Sequence, residues 1–202
     1  MLAHFEIEYE LIKLGYRKIT GLDEVGRGAL FGPVVAAAVI LNPKKLIEGV
    51  KDSKSISPKK RKELAEIIFG QAMAVGIGLS SNFEIDEYNI YRATMKAMIR
   101  AIDNLNLEPD FLLIDGYPIK NIPYPQMNII GGDEKSMSVA AASIVAKVIR
   151  DEMMNIYNQV IPGYLLDKNK GYGTKEHFLA LQKKGPSFFH RFSFNLKTNG
   201  NR

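Results

Sequence analysis

Three aspartates share one local setting, in which an apolar run ends and an acid stands beside glycine or a second acid. They lie in Leu22-Asp23-Glu24, Ile114-Asp115-Gly116 and Gly132-Asp133-Glu134. Strand ends of an open α/β sheet are where ligand sites form. Carboxylates converging there repel one another unless a cation neutralises them. Hard oxygen donors select Mg²⁺ or Mn²⁺, which keep several waters and bind phosphate oxygens beside one or two carboxylates. Two such ions roughly 3.5–4 Å apart can activate water and stabilise the leaving oxygen of a phosphodiester. The competing reading is three ordinary turn or helix-cap aspartates, and residue types alone leave both readings open. Glu24 adds a condition. In a regular strand it points opposite to Asp23, so it reaches the same site only where the strand ends or bulges.

The elements that must position these acids follow from hydrophobic period. Glu6–Tyr16 reads as a short helix, and Lys18–Val25 as a strand broken by Gly26-Arg27-Gly28. Pro33–Leu41 is β-branched and unbroken, which suits a strand covered on both faces. Ser57-Pro58 starts a helix whose apolar stripe is Leu64, Ile67 and Ile68. Met73, Val75, Ile77 and Leu79 alternate with Ala74, Gly76 and Gly78, a strand with one face kept small. A helix, in one or two pieces, spans about Glu84–Leu105. Phe111–Ile114 and Met127–Ile130 are short strands delivering Asp115 and Asp133. Helices follow over Ser136–Val160 and Lys175–Lys184, the last ending at Gly185. The first three strands meander as neighbours, and the last two are expected as parallel additions reached by helical crossovers. The expectation is an α/β fold with a mixed five-stranded sheet flanked by helices and with C-terminal helical elements.

Charge is concentrated rather than spread. The net charge is +5, and residues 44–62 alone carry eight basic and two acidic side chains. Such a cluster fits a polyanionic partner without establishing one. No cysteine is present, which excludes disulfides, thiolate metal sites and a cysteine nucleophile. Glu6, Glu8 and Glu10 interrupt any signal-peptide apolar region. The longest charge-free run, Gly28–Pro43, has sixteen residues, whereas a membrane helix needs roughly 20. A soluble, cytoplasmic monomer with no membrane association is expected.

Asp23-Glu24-Val25-Gly26-Arg27-Gly28, followed by Phe31-Gly32-Pro33, closely resembles the opening signature of the ribonuclease HII family. The likeness continues through Asp52-Ser53-Lys54, Tyr88-Asn89-Ile90, Ile114-Asp115-Gly116, Gly132-Asp133 and Ala141–Asp151. Lys170–His177 and His190–Phe194 complete it, so it spans about Ile19 to Phe194. The resemblance implies the ribonuclease H-like fold in one catalytic domain over residues 18–202, with residues 1–17 as a helical lead-in. It also implies a metal-binding, catalytic quartet of Asp23, Glu24, Asp115 and Asp133, working with two divalent ions, Mg²⁺ or Mn²⁺. The implied substrates are RNA/DNA hybrids and duplex DNA with embedded ribonucleotides, the latter cut on the 5′ side to leave 5′-phosphate and 3′-hydroxyl ends.

The resemblance further assigns Gly26, Arg27 and Gly28 to the ribonucleotide, Tyr172 to a neighbouring sugar, and Lys54 to phosphate. Glycines allow close backbone approach, and backbone amides can bond a 2′-hydroxyl or phosphate. Asp151, in mid-helix beside Arg150, reads as a structural ion pair rather than a ligand. His177 and His190 are as compatible with structure as with proton transfer, and Ser138 and Ser143 with helix packing as with substrate contact. The related ribonucleases HIII carry a domain-sized N-terminal extension and Thr in place of Arg27; 22 residues before Asp23 and an Arg at 27 favour type 2. The rivals are a non-catalytic hybrid- or RNA-binding module and another nuclease on the same fold.

Overall fold

A computed structural model describes residues 5–45, 47–50 and 56–197. Five strands form one sheet in the order β3-β2-β1-β4-β5. They are β1 (Ile19–Val25), β2 (Val34–Ile40), β3 (Ala74–Ser80), β4 (Phe111–Asp115) and β5 (Gln126–Ile129). β1–β2 and β2–β3 are antiparallel, whereas β1–β4 and β4–β5 are parallel. The mixed sheet expected from the sequence is therefore present.

One connection differs from expectation. β3 passes to β4 through a helix, α3 (Asn82–Asp103), but β4 reaches β5 through residues 116–125 without any helix. Pro118, Pro123 and Pro125 disfavour a helix there. The loop is instead anchored by Ile119, which is buried in the core. The Gln126 side-chain amide bonds both the N–H and the carbonyl of Ile119, closing the loop over the sheet.

Both faces of the sheet are covered, which is why β2 is buried along its whole length. On one face, α2 (Pro58–Gln71) and α5 (Met137–Val160) pack over Ala37 and Val39. α2 is capped by Ser57, whose side chain accepts from the Lys60 N–H. Its buried stripe is Arg61, Leu64, Ala65 and Ile68, and Ile67 is turned outward. The i, i+3, i+4, i+7 spacing selects Ala65 over Ile67, because hydrophobicity alone does not set the helix face. On the other face, α3 packs over Leu22, Ala36, Ala38, Leu112 and Ile114. The small side of β3 faces this helix, as Gly76 and Gly78 have Ala101 and Ala97 carbonyls where a Cβ would stand. α3 is broken at Asn89, whose φ of 71° interrupts the helical run.

α5 lies almost against the backbone of β1. A Cβ on Gly21 would fall 2.0 Å from the Ser138 carbonyl carbon, so only glycine allows this approach. Asp23 lies on the same face two residues later and therefore also meets α5. α1 (Glu6–Lys13) docks at the opposite end of β1, with Leu11 packed among Ile19, Phe111 and Val139. Its Glu8 is buried and accepts from the Ser136 hydroxyl (2.6 Å) and the Ser138 N–H (2.8 Å) at the start of α5. Short helices α4 (Gly132–Lys135) and α6 (Leu166–Asn169) precede and follow α5. α7 (Lys175–Lys184) and the chain after it fold back onto Leu30 and Phe31, giving a third core cluster. No helix among the described residues is long and apolar enough to cross a membrane.

Candidate active site

The carboxylate ends of β1 and β4 open into a cavity of about 310 Å³ lined by Asp23, Glu24, Val25, Asp115, Ser143, Lys147 and Tyr172. Three of the four sequence-predicted acids are thus brought together. Asp23 faces α5, where the Ser143 hydroxyl bonds it, and its Oδ1 accepts the Glu24 N–H at 2.7 Å. Of the two routes that the sequence left to Glu24, a strand end or a bulge, no bulge appears against β2, because β1 stays in register with it through Val25. Pairing of β1 with β4 stops at Leu22, however. Past that point the β4 side of β1 is open, and Glu24 reaches the cavity around the exposed edge. Asp115, the last residue of β4, accepts the Gly132 N–H at 2.8 Å.

Asp133 is placed differently. It is not a strand-end residue, since β5 stops at Ile129 and Asp133 sits in the first turn of α4. It is buried, next to the Gly132 amide that holds Asp115, and it is not among the residues lining the cavity.

Burial dominates the electrostatics. It pushes the Asp23 carboxyl well above the usual range, and the nearby Glu24 and Asp115 push it further. Glu24 is also raised by burial, partly offset by Arg27, whose guanidinium stands 3.2 Å away. Among the described residues, no three Asp, Glu or His side chains are drawn into a closed metal cage. Each acid of the cavity has taken another partner: Asp23 the Ser143 hydroxyl, Glu24 the guanidinium of Arg27, Asp115 a backbone amide. The donor set nonetheless fits a hard divalent cation, because it consists of carboxylate oxygens whose crowding disfavours their charged forms.

Gly26-Arg27-Gly28 follows directly on the cavity wall. Gly26 has φ of 92°, and a Cβ there would fall 2.1 Å from the Arg150 Nε, so no other residue fits. Nothing lies within 4 Å of a Cβ on Gly28, leaving that backbone open to approach. Tyr172 stands across the cavity, half-buried, with its ring 5.4 Å from the Arg150 Cζ. Lys54 lies outside the described residues.

Of two further cavity residues, Lys147 was not singled out from the sequence, and Ser143 was left open between helix packing and substrate contact. Their i, i+4 spacing on α5, continued by Asp151, was the available signal. The Lys147 ammonium is held 2.6 Å from Asp151, while burial pushes its pKa down. Asp151 also faces Arg61 at 3.7 Å, so it is a structural ion-pair residue as expected, but its partners are Lys147 and Arg61. Arg150 instead donates to the carbonyls of Phe31, Pro33 and Lys170. Ser138 belongs to helix packing against β1 and α1.

His177 and His190 are fully buried away from the cavity, with their Nε2 atoms 3.1 Å apart. The Tyr172 carbonyl accepts from His177 Nδ1, and His190 Nδ1 accepts from the Ser187 N–H. Those two bonds leave His190 Nε2 as donor to His177 Nε2, so both rings are neutral.

A family model described as ribonuclease HII matches residues 20–197. The ribonuclease HII of Caldicellulosiruptor bescii is 51% identical over 191 residues, covering 95% of this chain and 93% of the relative. Among solved structures, the PCNA:RNase HII complex from Archaeoglobus fulgidus aligns with a TM-score of 0.75 at 26% identity, over 90% of this chain and 98% of that one. Bst-RNase HIII, crystallised in complex with Mn²⁺, shares the fold at a TM-score of 0.68 and 19% identity, over 92% of this chain and 69% of its own. A family match over nearly the whole length, relatives of half-identical sequence and a shared overall fold lead to one conclusion: the chain belongs to the ribonuclease HII family and is a ribonuclease H, an endonuclease that cleaves the RNA strand of RNA/DNA hybrids.

Proposed function

We propose that Asp23, Glu24, Asp115 and Asp133 hold two divalent ions, Mg²⁺ or Mn²⁺, and that the enzyme also incises duplex DNA on the 5′ side of single embedded ribonucleotides. The observation that carries this reading is the burial of Asp23 beside Glu24 and Asp115 in one cavity, where cations relieve the crowding of like charge. Ions held there would supply activation of the attacking water and stabilisation of the departing 3′ oxygen, leaving 5′-phosphate and 3′-hydroxyl ends.

The protein side of the reaction falls to named residues. Ser143 orients Asp23, and the Gly132 amide orients Asp115, so both carboxylates enter the cavity with their rotamers fixed. Asp133 joins from behind the cavity lining, one residue beyond that amide. Lys147 adds a cation at the cavity edge, suited to a substrate phosphate. The open backbone at Gly28 and the guanidinium of Arg27 face the ribonucleotide, while Tyr172 meets the adjacent sugar. Lys54 contacts phosphate. The enzyme works as a cytoplasmic monomer.

Cleavage of an end-labelled duplex containing one ribonucleotide, in Mg²⁺ or Mn²⁺, tests the reading. Incision at the 5′ side of that nucleotide is expected. Asp23→Asn and Asp115→Asn should abolish cutting while hybrid binding, followed by anisotropy, persists. Full activity in either variant rules out the metal assignment.

A further inference from the structure

Beneath the two loops assigned to substrate lie two fully buried guanidiniums, Arg150 and Arg191. Neither has a carboxylate partner among the ion pairs of the described residues. Arg150 donates to the carbonyls of Phe31 (3.1 Å) and Pro33 (3.1 Å) on the chain leaving Gly26-Arg27-Gly28, and to that of Lys170 (2.8 Å) beside Tyr172. Its guanidinium also lies under the Tyr172 ring and directly against Gly26. Arg191 donates to the carbonyls of Arg27 and Gly32, both at 2.9 Å, and its Nη2 has no hydrogen-bond partner. The loops are also tied directly, by the Leu30 N–H to the Gly171 carbonyl at 2.8 Å.

Burying a charge without an opposite charge is costly, and a buried donor left unpaired adds to that cost. Burial pushes the Arg191 pKa down to about 9, which still leaves it charged at neutral pH. A neutral apolar residue would fill such a site more cheaply if filling were the whole purpose. What the forked cation does, and an apolar residue cannot, is hold several carbonyls from two segments at fixed mutual distance. Residues 31–33 and residue 170 are more than 130 positions apart, and one side chain binds both.

We propose that Arg150, seconded by Arg191, is a positioning residue that fixes the distance between the Gly26-Arg27-Gly28 turn and the Tyr172 loop, so that one ribonucleotide and its neighbouring sugar are gripped in a single register. This rests on the reading that those two loops contact substrate. Arg150 acts through the loops and touches no reacting atom.

A double-mutant cycle separates positioning from stability. Arg150→Lys, Tyr172→Ala and the double variant are assayed as full chains on a duplex with one ribonucleotide, at saturating Mn²⁺ and well below each melting midpoint. Arg150→Lys should lower kcat by about tenfold to a hundredfold with KM little changed, the range expected when reacting groups are misplaced by an ångström. The double variant should be scarcely slower than the worse single one, because the grip is already lost. A merely structural Arg150 lowers the folded fraction whatever stands at 172. Losses that multiply would therefore overturn the proposal. Tyr172→Ala cutting at the wild-type rate would defeat the substrate reading of the loop, and the positioning proposal with it. If Arg150→Lys does not fold, the same cycle with Arg191→Lys and Arg27→Ala carries the same two outcomes.

Discussion

Two charged clusters lie on either side of the Gly26-Arg27-Gly28 turn, and they treat charge in opposite ways. The cavity gathers like charges, Asp23, Glu24 and Asp115, and leaves the first two with raised pKa values. The cluster beneath the turn also gathers like charges, Arg150 and Arg191, yet surrounds them with backbone carbonyls. Backbone carbonyls bond these guanidiniums where they stand, the Arg191 Nη2 apart, so that cluster draws its partners from the chain itself. The carboxylates take one hydroxyl, one guanidinium and backbone amides, which relieve their mutual crowding only in part, so on the proposed reading that cluster is completed by cations. On the proposed reading the acidic cluster carries the chemistry and the basic one sets the geometry.

Removing a cavity acid should therefore abolish chemistry and spare the fold. Asp23→Asn is expected to cost several kcal/mol of transition-state stabilisation, roughly 10³-fold or more in kcat, while thermal unfolding without metal stays level or moves up. Millimolar Mn²⁺ should raise the melting midpoint of the parent protein and not of this variant. Loss of the midpoint along with activity would break the contrast between the two clusters.

Removing a guanidinium should show the reverse balance. Arg150→Met leaves two buried carbonyls and one part-buried carbonyl without their donor, a loss of about 3 kcal/mol in denaturant unfolding. For a chain of this size that is a melting midpoint lower by roughly 6–12 °C. A change under about 1 kcal/mol would show that the carbonyls rehydrate freely.

The neutral histidine pair beside the basic cluster gives a smaller, pH-dependent effect. His190 has its pKa lowered from 6.5 to about 4, by burial first and by His177 second. Between those values the unfolded chain binds the proton and the folded chain does not. Stability from this source is complete above about 6.5 and is lost as pH falls toward 4. At pH 5.5 the loss should be about 1.4 kcal/mol relative to pH 7.5, read from urea midpoints and reduced in His190→Gln. A profile that is flat, or the same in the variant, would contradict the neutral pair.

The smallest effect belongs to the exposed side of the turn. Arg27→Ala should change stability by less than about 0.5 kcal/mol, since its pair with Glu24 is largely solvent-exposed on the arginine side. If the free guanidinium meets a phosphate, the slope of log affinity against log salt should shallow by about one. An unchanged slope would confine Arg27 to pairing with Glu24.

The period-two and 3.6-residue patterns gave the strands, the long helices and the small face of β3, because those signals reside in neighbouring residues. They missed the helix-free passage from β4 to β5, where one buried isoleucine and one glutamine side chain close the loop. They left Ser143 undecided and missed Lys147, because the spacing of the two on α5 becomes informative only once the helix is laid across β1. For Glu24 they left a strand end or a bulge open, and the end of β4 pairing is what the fold supplies.

The sequence by itself determined that Asp23 and Asp115 stand at strand ends, that glycines lie near them, and that an arginine and a tyrosine sit in glycine-bracketed turns. It could not determine which partner each charge takes. Arg150 stands beside Asp151 in the chain but bonds carbonyls more than 100 positions away in residues 31 and 33, and Asp151 turns to Lys147 and Arg61. His177 and His190 find one another, and Asp133 takes its place in a helical turn rather than at a strand end. Adjacent residues on a helix project in different directions, so burial and long-range packing, not chain proximity, choose the partner.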